Sequence, residues 1–166
     1  SKKKHLHYLL FFIYLGLLSW LLPKIPFIQK SGLKKGEARL LFFLKIVIGC
    51  LYCWLSIHYY DPHNDMLSLF RDSQLETNVL LKSPGDFFTN IFSNYPWRAG
   101  PAGKIYDVLY ILNNNGIIKV LALFNLASIN NIYINSLFFN SISFFAHIAL
   151  YRVYAHLYSS NKFAAI

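Results

Sequence analysis

Apolar residues along this chain come in blocks separated by polar, turn-rich segments, and the length of each block decides what it can do. A hydrocarbon core about 30 Å thick needs about 20 helical residues to cross it. Residues 40–60 meet that requirement with a single charge, Lys45, close enough to the start for its ammonium to reach back to the interface beside Arg39. Trp54, Tyr59 and Tyr60 gather toward the other end as an aromatic belt. Residues 132–158 form a second clear span, with Arg152 and Lys162 toward its end. Residues 6–22 number only seventeen, the lower limit for crossing. Basic clusters flank them on both sides, so a simple crossing puts one cluster on the outer face. A re-entrant or strongly tilted segment bent at Pro23 and Pro26 avoids that conflict.

The region between the two clear spans has its own pattern. After residue 60, Pro62 stops a helix, and Asn64 or Asp65 caps a short new one in "MLSLFRDS". "SPGDFFTNIFSNYPW" predicts a further helix, with Ser83 as N-cap, Pro84 in the first turn and Asp86 complementing the dipole. Phe87, Phe88, Ile91, Phe92 and Tyr95 then share one face until Pro96 ends the element. Such a face suits a helix lying in the headgroup plane, or the core of a small loop domain. Residues 105–112 and 117–128 are apolar and separated by "NNNG", a turn signal that predicts two juxtamembrane helices. The alternative carries the second piece through "SINN" into the last span. The final "SSNKFAAI" reads as a turn and the start of another helix, as in a longer polytopic chain.

Together these patterns predict an all-α polytopic integral membrane protein with amphipathic juxtamembrane helices in an outer-face loop. Its parts are a basic membrane-associated segment (1–39), a transmembrane helix (40–60), the loop (61–131), a second transmembrane helix (132–158) and a cytoplasmic turn (159–166). "SKKKHLHYLLFFIYLGLLSWLL" has the basic and apolar regions of a signal peptide. Pro23, Lys24 and Pro26 follow where a small-residue cleavage site belongs, which predicts a retained anchor.

Composition sharpens this reading. Hydrophobic residues make up 55% and charged residues 14%, far from the roughly 25% charged content of soluble domains. The net charge of +9 raises nucleic acid as a partner, but the basic residues flank apolar blocks instead of lining a polar face. Lys2, Lys3, Lys4, Lys24, Lys30, Lys34, Lys35 and Arg39 stand where the anionic cytoplasmic leaflet attracts them, which excludes nucleic-acid binding and points to the bilayer. Cys50 and Cys53 lie within an apolar run; no second Cys or His cluster completes a zinc set, so they read as small packing residues.

Six of the seven acidic residues fall in 61–107, against four basic ones. With Arg39 inside, residue 60 emerges outside, and the last span returns; the expected location is a bacterial inner membrane. "HYYDPHND" sets Asp61, His63, Asn64 and Asp65 just beyond the span. Asp65, with Asp61 nearby, has the chemistry of a general base toward an acceptor hydroxyl. The same pair with His63 could hold a divalent cation that neutralises a phosphate leaving group. Arg71 and Arg98 are candidate phosphate contacts. Turn and cap preferences alone also account for these residues. In the last span Asn135, Ser136, Asn140, Ser143 and His147 form a polar stripe suited to helix–helix contact, or to a ligand or proton role for His147.

The stretch "GEARLLFFLKIVIGCLYCWLSIHYYDPHNDMLSLFRDS", short loop helices and then "NSLFFNSISFFAHIALYR" resemble, over residues 37–158, the N-terminal part of multi-pass bacterial glycosyltransferases of the GT-C type. The resemblance lies in layout. It implies an outer loop that begins with an essential acidic residue, matched here by Asp61 or Asp65, and a polyprenyl-phosphate sugar as donor. This chain departs from the family in its additional basic-flanked segment and in its length, which is too short for a complete catalytic bundle. The competing expectation is a small non-catalytic integral subunit packed against other transmembrane helices of a larger complex.

Overall fold

The computed structural model describes residues 2–61, 64–89 and 100–157. Every regular element among them is helical. The order is α1 (Lys2–Leu21), a 3-10 turn (Leu22–Lys24), α2 (Pro26–Gln29), α3 (Lys35–His58), α4 (Asp65–Lys82), α5 (Pro84–Thr89), α6 (Pro101–Ser128) and α7 (Ile132–Leu157). Three helices are long and apolar enough to cross a membrane, over Lys4–Lys24, Lys35–His58 and Ile132–Leu157. The chain is therefore built as an integral membrane protein. Helix α1 begins well before its apolar block, because lysine is a good helix former. It runs unbroken to Leu21, and the prolines act beyond its end.

The chain divides into two compact units, one comprising Ser1–Trp54 with Ser136–Ile166 and the other Leu55–Asn135. In the first, α1 and α3 form a hairpin whose turn is dense in hydrogen bonds. Gln29 Nε2 donates to the carbonyls of Pro23 and Lys24, at 3.2 and 3.3 Å. Ser31 Oγ donates to Ile28 O at 2.6 Å, Gly32 takes the left-handed conformation at φ 84°, and Glu37 Oε2 accepts from Lys34 N–H at 2.8 Å. The core of this unit joins Ala38, Phe42 and Ile46 of α3 to Leu137, Phe144 and Ile148 of α7. The ridge continues up α3 at Gly49 and Cys53, one position every three or four residues.

The ridge meets α7 in antiparallel order. Phe42 packs edge-on against Phe144 with centroids 5.6 Å apart. Further up α3, a Cβ at Gly49 would collide with Asn140 Nδ2 and lie 3.1 Å from Ser136 Oγ. Beyond that, the Cys53 thiol hydrogen-bonds Ser136. Small residues at these positions leave room for the polar side chains of α7. Helix α1 touches α7 through Tyr14 and Phe138, 4.9 Å apart.

The second unit is built on the packing of α4 against α6. Asn64 is the N-cap of α4, its Oδ1 accepting from Leu67 N–H at 3.0 Å. The helix predicted over "MLSLFRDS" runs on to Lys82, its second half supported by contact with α6. Helix α5 starts at Pro84 as expected, with Ser83 O accepting its first bond from Phe87 N–H at 3.2 Å, and Ser83 is also the C-cap of α4, donating its N–H to Val79 O. Phe87 and Phe88 do not share a face: Phe87 is buried and Phe88 is 70% exposed. Ile91, Phe92 and Tyr95 lie outside the described residues.

The expected break at "NNNG" does not occur. Residues 113–116 are helical, and α6 is continuous over 28 residues. Asn and Gly each weaken a helix by less than about 1 kcal/mol, a cost that tertiary packing overrides. The chain does turn at "SINN", where Ile129 and Asn130 are left-handed at φ 54° and 57°. Asn131 then caps α7, accepting from Tyr133 and Ile134 N–H at 3.0 and 3.1 Å.

Candidate functional site

A buried amide–hydroxyl cluster lies in the second unit. Ser73 and Thr77 are one turn apart on α4 and face Asn125 on α6; all three are buried, as is Asn135. Asn125 Nδ2 donates one hydrogen to Ser73 Oγ and the other to Thr77 Oγ1, both at 3.0 Å. Each hydroxyl passes its own proton to a backbone carbonyl, Ser73 to Phe70 O and Thr77 to Ser73 O, both at 2.7 Å. Asn125 Oδ1 accepts from Asn135 Nδ2 at 2.5 Å.

The bonds link the side chains in one chain, from Asn135 through Asn125 to Ser73 and Thr77. Asn135 Oδ1 alone among these atoms has no hydrogen-bond partner. A nearly complete buried network of this kind specifies one arrangement of its helices, here the register of α4 on α6 and the start of α7.

Beside the cluster on α4 stand Asp72 and Glu76, both half-buried. Burial pushes the carboxyl of Asp72 above its ordinary range, against the pull of Arg71. Burial also raises that of Glu76, and here Lys119 of α6 opposes it. The Lys119 ammonium donates to Phe87 O and sits 5.1 Å from the Phe87 ring, so it fastens α5 to α6.

The predicted acidic pair occupies the corner between α3 and α4, and both residues are exposed. Asn64 braces that corner. Its Nδ2 donates to Asp61 O at 2.8 Å and to Ser56 O at 3.2 Å, while its Oδ1 caps α4. Asp65 opens α4, where its charge complements the helix dipole. Arg71 is exposed, with Nη2 3.5 Å from Ser68 Oγ. His63 and Arg98 lie outside the described residues. Among the described residues no three His, Cys, Asp or Glu side chains gather to hold a metal ion.

The polar stripe on α7 divides between the two units. Asn135 joins the buried cluster of the second. Ser136 and Asn140 face α3 in the first, with Asn140 Nδ2 donating to Ser136 O at 2.9 Å and to Ser136 Oγ at 3.1 Å. Ser143 Oγ donates to Asn140 O at 3.3 Å. His147 is exposed, its Nδ1 2.7 Å from Ser143 O. Sequence reasoning missed Ser73, Thr77 and Asn125. The available signal was a Ser and a Thr four residues apart on an amphipathic helix, with one Asn inside an apolar run. Comparison with protein-family models, with curated proteins and with solved structures gives no match.

Proposed function

We propose that the chain is the N-terminal membrane part of a glycosyltransferase that moves a sugar from a polyprenyl-phosphate donor, with residues 61–131 on the outer face of a bacterial inner membrane. The observation that carries this reading is the corner braced by Asn64, which holds the backbone of Asp61 and the start of α4 while both carboxylates stay exposed. Exposed carboxylates beside a backbone braced by Asn64 suit a general base that must meet an acceptor hydroxyl at a membrane surface. In this reading Asp65 takes the hydroxyl proton. Arg71 and Arg98, or a divalent cation beside Asp61, offset the charge of the departing phosphate. Exposed Leu75, Leu81 and Phe88 on α4 and α5 suit helices resting on the headgroup layer near such a donor.

The test is sugar transfer from a polyprenyl-phosphate donor in membranes that contain the full gene product. Asp61→Asn and Asp65→Asn are each made separately, and loss of about a hundredfold or more in at least one of them is expected, with insertion and helix content unchanged. Full activity in both variants removes the reading. The second reading, a non-catalytic subunit, draws on the exposed apolar positions Ile105, Leu109, Val120 and Leu123 of α6, which suit a neighbouring helix. Its signature is a stable larger complex in mild detergent that keeps the chain while showing no transfer activity of its own.

A further inference from the structure

An open groove of about 300 Å³ runs between α1 and α3 in the first unit. Phe11, Phe12 and Leu15 form one wall; Phe43, Val47 and Leu51 form the other. At the hairpin end of the same two helices stand Lys24, Lys30, Lys34, Lys35 and Arg39, all exposed. The nearest acid, Glu37, is engaged with the Lys34 amide. Lys24 Nζ lies over the ring of Trp20, 3.1 Å from its centroid, which sets an aromatic and a cation together at that level, as membrane proteins do at the lipid interface.

Distances along the helices relate the groove to the charges. At about 1.5 Å per residue, Phe43 lies about 6 Å and Leu51 about 18 Å along α3 from Arg39. Leu15 lies about 8 Å along α1 from Trp20. One leaflet of hydrocarbon is about 15 Å deep. The groove therefore occupies the depth of one leaflet's acyl chains, directly below a ring of cations at headgroup level.

We propose that this groove seats an acyl chain of an anionic phospholipid, whose phosphate is held by the basic hairpin turn. The charge selects the lipid, and the apolar walls of the two helices select the chain. This inference rests on α1 and α3 crossing the bilayer and is independent of any transferase chemistry.

The full chain, purified in mild detergent and exposed to equal amounts of phosphatidylglycerol and phosphatidylcholine, is weighed intact by native mass spectrometry. Retention of one phosphatidylglycerol per chain is expected. Val47→Trp, which fills the groove at a partly exposed position, is expected to abolish that retention. Replacing Lys34, Lys35 and Arg39 together by Ser is expected to cut the preference for the anionic lipid by about tenfold. A second measurement needs no variant: phosphatidylglycerol carrying a photoreactive group on its acyl chain should mark peptides containing residues 11–15 and 43–51. Equal retention of both lipids, marking spread evenly over all apolar helices, or a second copy of the chain in place of lipid would each overturn the proposal.

Discussion

Asn125 donates both amide hydrogens and accepts a third bond, so its removal is felt differently by each partner. Ser73 and Thr77 keep their bonds to backbone carbonyls when Asn125 is lost, and lose only an incoming donor. Asn135 Nδ2 loses its acceptor outright. Asn125→Ala should therefore destabilise the protein by about 1–3 kcal/mol, the cost of leaving a buried donor unsatisfied. Asn135→Ala should cost less, because its oxygen is already without a partner. The double variant should cost less than the sum of the two, read from unfolding midpoints in detergent. The carboxylates alongside give a pH dependence whose sign follows from burial. Asp72 and Glu76 bind protons more tightly in the folded chain than in the unfolded one. Their contribution is fully present at low pH and is lost as pH rises from the ordinary carboxylate range through the raised folded values. Glu76→Gln should flatten that part of the profile above the ordinary carboxylate range, and Lys119→Met should steepen it by removing the charge that opposes the shift. A profile unchanged in Glu76→Gln would place the titrating group elsewhere.

Among the elements, the contact of α3 with α7 depends on one missing side chain. Gly49→Ala puts a methyl where Asn140 Nδ2 lies, and Asn140 can yield only by giving up its bonds to Ser136. Gly49→Ala should cost about 1–3 kcal/mol, as overpacking does. In the background of Asn140→Ala the same change should cost at least about 0.5 kcal/mol less, since the nearer obstacle is gone and only Ser136 Oγ remains, at 3.1 Å. Additive effects would mean that the methyl is accommodated by a shift of the whole helix. The elements also show where the sequence was legible. The spans α3 and α7 were plain, because a block of about 20 apolar residues has few alternatives to a helix in lipid. The Asn64 cap was legible because it is local, one side chain bonding three residues ahead. Helix α6 was misread because "NNNG" is a local turn signal worth little per residue, whereas the packing that overrides it comes from α4, far away in the chain. Asn125 was overlooked for the same reason: its partners on α4 are 48 and 52 residues distant.

For the molecule as a whole, charge and the number of candidate spans make a joint demand. With three candidate spans, the ends of the chain lie on opposite faces of the membrane if all three cross. In that case residues 22–34 lie on the face opposite the start of α1, and the chain returns to the first face after α3. Short loops rich in Lys and Arg remain inside, while a connection longer than about 60 residues follows the rule only weakly. The cations at the α1–α3 turn, with Arg152 and Lys162, outnumber the three lysines that open the chain. The turn is therefore expected inside and the second unit outside, despite the basic N-terminus. Single cysteines introduced as Lys30→Cys and Asp86→Cys, in a chain with Cys50→Ala and Cys53→Ala, test this directly. A membrane-impermeant thiol reagent added to intact cells should label the second and spare the first, and permeabilisation should expose the first. The reverse pattern would put the acidic corner in the cytosol, where an outer-face donor is out of reach. Labelling of both in intact cells would mean that α3 does not cross, and the groove beside it would then lose its place in the leaflet.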